Sequence, residues 1–223
     1  MGKNTKETRR GAKKRKLKPV VLIVSEGSKT EPIYFNHFKD RNKNIQILLS
    51  SEGRKQRKTD YKHIVNEAIR FIDENDLSVE DGDTFWCVCD ADVDTNTPGA
   101  AVVKASQLAE AKIAADRNNI NMIFSNPCFE LWFLLHFEYT TKQFRGYDEI
   151  LKSLLKHIKD YDKNTSIFSS VKDKIDVASR NSIQLSNFQL QQKNLTENSD
   201  DSLLIDVNVV PFTNVHKLIN IIK

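Results

Sequence analysis

The chain is predicted to be an α/β protein with a central, mainly parallel sheet of about four strands flanked by helices, plus a helical C-terminal extension. Three observations carry that expectation. Short apolar runs alternate with segments of helical period between residues 19 and 138, and such alternation implies parallel strands joined by right-handed crossovers. Two runs, Val20–Val24 and Phe85–Cys89, are apolar throughout, as strands covered on both faces are. From Gly146 onward the pattern is helical or irregular, and no strand-like run matches the first four.

The first strand covers about Pro19–Ser25, and a turn at Gly27-Ser28-Lys29 follows it. A helix starts near Thr30, with Ser28 or Thr30 placed to cap it, Pro32 acceptable in its first turn, and Ile33, Tyr34 and Phe38 facing inward. Ile45–Ser50 forms a second strand, followed by a polar loop over residues 51–58. Thr59 or Asp60 caps a helix in which Ile64, Val65, Ala68, Ile69 and Ile72 keep helical spacing. The third strand is Thr84–Asp90, after which Asn96-Thr97-Pro98-Gly99 turns into an alanine-rich helix over about Ala100–Arg117. Ile120–Ser125 is the fourth strand, and Asn126-Pro127 opens a helix, Cys128–Glu138, that is apolar nearly all round. Polar helices follow over about Tyr147–Asp160 and Ser170–Leu190, then an aperiodic linker, Gln191–Ser202. A closing amphipathic helix, capped near Thr213, presents Val215, Leu218, Ile219 and Ile222. The organisation expected is a basic flexible tail (1–18), an α/β domain (19–145) and a helical extension packed on it (146–223).

Charge is divided unevenly along the 223 residues. Residues 1–20 hold nine Lys or Arg against Glu7 alone, a local +8. Of the 34 basic and 30 acidic residues, 25 and 29 then remain, so the rest of the chain carries −4. The run Arg9-Arg10-Gly11-Ala12-Lys13-Lys14-Arg15-Lys16 suits contact with a phosphate backbone by counterion release, and equally suits a solubilising tail. No apolar stretch nears the roughly 20 residues that span a bilayer. The N-terminus lacks the apolar core of a secretory signal, so a cytoplasmic protein without a membrane segment is expected. Cys87, Cys89 and Cys128 form neither a paired framework nor a zinc-finger spacing, and read as buried, reduced core residues.

The chemistry is expected at the acid-tipped strand ends. Glu26 follows the first strand, and Asp90 and Asp92 end the third, two residues and therefore about 6–7 Å apart on one face. Ligands of open α/β sheets bind at that carboxyl edge. Carboxylates gathered there repel by roughly 4 kcal/mol per pair at about 4 Å and an effective dielectric of 20. A divalent cation or a shared proton offsets that cost, so the first expectation is a magnesium-dependent site in which Mn2+ can substitute. Ions so held bridge phosphate oxygens and activate water in phosphoryl or nucleotidyl transfer. Gly27, beside Glu26, lets the backbone approach a ligand closely.

Glu26-Gly27 after a first strand, with Asp90-x-Asp92-x-Asp94 after a later one, resembles the TOPRIM domain of topoisomerases, primases and OLD-type nucleases. The wider segment Val24-Ser25-Glu26-Gly27-Ser28-Lys29-Thr30-Glu31-Pro32-x-Tyr34-Phe35 resembles the RloB-like family, to which abortive-infection proteins of the AbiLii type are similar. Two further segments carry the same resemblance: Ser125-Asn126-Pro127-Cys128-Phe129-Glu130-Leu131-Trp132-x-Leu134-Leu135-His136-Phe137, and Thr213-Asn214-Val215-His216-Lys217-Leu218. It spans about residues 19–220. The resemblance implies a Rossmann-like TOPRIM fold, metal-dependent cutting of DNA or RNA, an AAA-type ATPase partner and a role in anti-phage defence. It assigns Glu26 to acid–base work, Asp90 and Asp92 to Mg2+, and leaves Asp94 as a third acid of variable role. Nothing like a topoisomerase tyrosine domain is evident.

Glu130, in the first turn of an apolar helix, is either a complement to the helix dipole or another metal ligand at the same edge. Asn126 reads as a plain N-cap or a phosphate contact. His136 reads as a satisfied core histidine, and His216 as a capping or interface residue. Lys29 in its turn, and Arg54, Lys55, Arg57 and Lys58 in the loop at the acid edge, are candidate nucleic-acid contacts. Two other functions compete. A HAD-type phosphatase would use Asp92-Val93-Asp94-Thr95, although that signature normally follows the first strand. A non-catalytic adaptor would dock nucleic acid or an ATPase through the tail.

Overall fold

The computed structural model describes residues 18–39, 41, 44–51, 61–93, 97–195 and 205–223. Its sheet runs in the order β2-β1-β3-β4-β5. The strands are β1 (Val20–Ser25), β2 (Gln46–Ser51), β3 (Thr84–Asp90), β4 (Ile120–Asn126) and β5 (Phe212–Thr213). The first four are parallel, and β5 pairs antiparallel with the end of β4, Thr213 opposite Ser125. The helices are α1 (Thr30–Asn36), α2 (Tyr61–Glu74), α3 (Ala100–Arg117), α4 (Glu130–Leu135), α5 (Tyr147–Leu154), α6 (Phe168–Val171), α7 (Ile175–Gln192) and α8 (Val215–Ile222). The result is the expected Rossmann-like α/β architecture. No described helix is long and apolar enough to cross a membrane.

The central strands are buried on both faces because their residues alternate between two apolar clusters. Val21, Ile23, Trp86, Val88 and Ile123 face one cluster, with Tyr34 and Phe35 of α1 and much of α4, α5, α7 and α8. Val20, Leu22, Val24, Phe85, Cys87, Cys89 and Phe124 face the other, with α2 and α3. All three cysteines are buried and free, as expected. The chain leaves β1 for β2 on one side and later returns to β3 on the other, so β1 and β3 are neighbours that feed α1 and α3 onto opposite faces. That divergence is the switch point of a doubly wound sheet, and it opens a crevice at the carboxyl ends of β1 and β3.

The C-terminal third is woven into this core. β5 extends the sheet, and Leu218 of α8 shares a cluster with Leu131 of α4. β5 is a strand that sequence periodicity does not reveal, since two residues carry no alternation.

Several boundaries and caps differ from expectation. The helix expected over Cys128–Glu138 is only Glu130–Leu135, flanked by single turns; Cys128 and Phe129 are buried too, and burial alone mimics helical continuity. The segment expected to be one helix over Ser170–Leu190 is a short α6, a 3-10 turn at Lys172–Lys174, and α7 running on to Gln192. α1 is capped at Lys29 with no side-chain bond, so neither Ser28 nor Thr30 caps it. Its buried positions are Thr30, Glu31, Tyr34 and Phe35, with Ile33 only half-buried, and Phe38 is buried just beyond its end. The N-cap of α8 is Asn214, beside Thr213 as expected. The basic tail (residues 1–17), the caps at Thr59 and Asp60, and most of the 191–202 linker lie outside the described residues.

Candidate active site

The sheet register brings the acids of β1 and β3 together. The Glu26 N–H donates to the Val88 carbonyl at 3.1 Å, extending the β1–β3 ladder by one step. Glu26 Oε2 accepts the Asp90 N–H at a long 3.4 Å. Beyond β3 the chain continues along β4: the Ala91 N–H reaches Ser125 O at 2.8 Å and the Asp92 N–H reaches Pro127 O at 3.1 Å. Tyr61 of α2 fastens the same loop by donating to Ala91 O at 3.0 Å. Asp92 has a left-handed φ of 39°, a region an aspartate tolerates better than most residues, and its side chain stands exposed at the rim.

Six acids line one cavity of about 560 Å3: Glu26, Glu31, Asp90 and Glu130, with the exposed Asp92 and Asp162. Glu31 and Glu130 are buried, at 4% and 1% exposure. Asp90 shows part of its surface to the cavity, yet its Oδ1 is buried without any hydrogen-bond partner. Burial pushes the Asp90 carboxyl far above the usual range. Repulsion from Glu31, Glu130 and Glu26 adds to this, and an N–H bond from Phe129 only partly opposes it. Burial likewise lifts Glu31. N–H bonds from Glu31 itself and from Gly27 pull it down, Glu130 and Glu26 push it up, and it settles at about 7.

Glu31 was not among the site residues expected from the sequence, although it lies inside the Glu26–Pro32 segment. Its carboxyl group packs over Gly27, where any Cβ would overlap it, with Glu31 Cδ only 2.7 Å from the ideal Cβ position. A side chain at residue 27 would require this carboxyl group to shift. Glu130 is the first residue of α4. Its Oε1 accepts the Tyr161 O–H at 2.8 Å and lies 3.8 Å from Lys163 Nζ. Tyr161, Lys163 and Tyr147 come from the C-terminal third, where no local pattern marked them.

The donor chemistry fits a hard divalent cation: the acids offer oxygen ligands only, one buried oxygen is unpartnered, and mutual repulsion favours a positive charge. Among the described residues, however, no three such side chains converge to ligating distance as they stand. Each acid is turned elsewhere: Glu26 to the Asp90 N–H, Glu31 over Gly27, Glu130 to Tyr161 and Lys163.

The remaining candidates separate clearly. Lys29 is exposed at the cavity wall. Asn126 is neither an N-cap nor a phosphate contact: it is 3% exposed, and its amide donates to Val207 O and Val209 O, both at 2.9 Å. The antiparallel return of the chain beside β4 supplies those carbonyls. His136 is a core histidine whose Nδ1–H donates to Trp132 O at 2.9 Å, leaving a buried, unpartnered Nε2. Burial lowers its pKa to about 4, so it is neutral at pH 7. His216 packs internally against Ser182 Oγ at 2.7 Å. Asp94, Arg54, Lys55, Arg57 and Lys58 lie outside the described residues.

Compared with curated proteins, the chain finds no match. The family of RloB-like proteins matches it over residues 21–222, a span that takes in β1, the acid cavity, the Tyr161–Lys163 turn and α8. The chain therefore belongs to the RloB-like family.

Proposed function

We propose that this protein is a metal-dependent nuclease of TOPRIM type that hydrolyses phosphodiester bonds of nucleic acid. The observation that carries the reading is the unpartnered Asp90 Oδ1 at the floor of a cavity walled by Glu26, Glu31 and Glu130. Buried acids so close together are costly, and a cation-dependent reaction on an anionic substrate accounts for keeping them. Asp90, Glu31 and Glu130 would hold Mg2+ or Mn2+, with Asp92 available from the rim. A bound ion of this kind supplies activation of water and stabilisation of the leaving oxygen.

The chain's own residues then divide the work. Glu26, whose Oε2 accepts the Asp90 N–H, stands beside the acids as the group to accept the proton of the attacking water. Lys29 at the cavity wall suits a substrate phosphate. The buried position of Asp90 and the exposed, left-handed Asp92 favour this chemistry over a phosphatase with Asp92 as nucleophile. The family resemblance supports work in anti-phage defence beside an AAA-type ATPase. A nuclease of this kind would work in the cytoplasm, where nucleic acid is at hand.

The test is cleavage of single- and double-stranded DNA and RNA in Mg2+ or Mn2+, with and without the ATPase. E26Q and D90N should each lower kcat by at least about 100-fold, within the range of general acid–base contributions. Unchanged cleavage by both variants refutes the nuclease reading.

A further inference from the structure

Only one lysine from the C-terminal third lines the acid cavity among the described residues, and its contacts are unequal in strength. Lys163 Nζ lies 3.8 Å from Glu130 Oε1, outside hydrogen-bond reach, and 3.9 Å from the centre of the Tyr147 ring. The Glu130 side chain is 2% exposed and held by the Tyr161 hydroxyl, whereas the Lys163 side chain is 49% exposed. The acid cannot leave, but the lysine can. An ammonium on a four-carbon stem moves at little cost, and the aromatic face offers it a second resting contact.

A lysine is a full positive charge at neutral pH, and Lys163 faces the acids from the cavity wall. Asp162 and Asn164 of the same turn also line the cavity, and Asp162 is itself engaged by the Asn164 N–H and amide at 2.8 and 2.6 Å. A divalent ion approaching Glu130 would meet Lys163 as a like charge.

We propose that Lys163 is a displaceable counterion of the acid cavity, paired with Glu130 until a divalent cation takes its place. This inference rests on the metal-dependent reading above, but not on the identity of the substrate. Lysine departure and metal binding are then one coupled event, and the side chain sets how tightly the cavity takes its ion.

Mn2+ titration of the metal-free full chain, followed by the electron paramagnetic resonance of free Mn2+, tests it. K163Q should bind Mn2+ tighter by roughly fivefold or more, the lower end of typical site couplings. K163R, which keeps the charge, should match the wild type, and K29Q at the cavity wall should change affinity by less than K163Q. Unchanged or weaker binding by K163Q overturns the proposal, as does an equal gain in K29Q, which would mark a general charge effect. K163Q also keeps the wild-type fold, because the residue is half-exposed and closes no buried hydrogen bond. A chain that shows this Mn2+ pattern yet cuts no nucleic acid supports the counterion and refutes the nuclease.

Discussion

Replacing Glu31 with glutamine should stabilise the metal-free protein at neutral pH, an unusual outcome for a buried charged residue. Glu31 is 4% exposed, and its carboxyl titrates at about 7 rather than 4.5. Between those two values the folded chain holds a proton that the unfolded chain has released. Stability is therefore fully present below pH 4.5, falls as pH rises towards 7, and is level above it. The displacement of about 2.5 pH units, at 1.36 kcal/mol each, amounts to about 3 kcal/mol. E31Q keeps an oxygen for the Gly27 and Glu31 N–H groups and removes the ionisation. At pH 8 the variant should gain about 3 kcal/mol over the wild type, or roughly 6–12 °C in Tm for a chain of this size, while at pH 4 the two should coincide. The assay is thermal and urea unfolding in chelator across pH 4–8. Asp90, whose carboxyl burial also raises, leaves a residual slope of the same sign in both proteins. If E31Q is no more stable than the wild type at pH 8, or loses as much stability between pH 4 and 8, the placement of Glu31 among the acids is wrong.

Two further outcomes follow from the site and the tail. N126A should cost about 3 kcal/mol in urea unfolding, because it removes two buried bonds and strands the carbonyls of Val207 and Val209. A stable N126A whose only defect is nucleic-acid affinity would restore the phosphate contact that the geometry rejects. Deleting residues 1–18 should flatten the salt dependence of nucleic-acid affinity while sparing hydrolysis of a short, saturating oligonucleotide. If about five of the nine basic residues in the tail sit on phosphates, the slope falls by roughly 4. An unchanged slope leaves the tail a solubility device.

The four parallel strands, the long helices α2 and α3 and the acid-tipped ends of β1 and β3 were legible in the sequence. Each rests on local information: the run length of buried strands, the 3.6-residue period, and the side on which an apolar run stops. The sequence also placed Glu26, Asp90 and Glu130 at one sheet edge, because parallel strands send all their carboxyl ends the same way. It passed over Glu31, whose role depends on the space above Gly27, a distance that no residue pattern encodes. Tertiary structure alone decided the rest. Tyr161 and Lys163 reach Glu130 across some 30 residues from an aperiodic turn, and Asn126 is claimed by carbonyls about 80 residues downstream. The physical reason is the same in each case. Hydrogen bonds and ion pairs between distant segments exist only once the packed core has set their distance, whereas burial and backbone period act within a few residues of their cause.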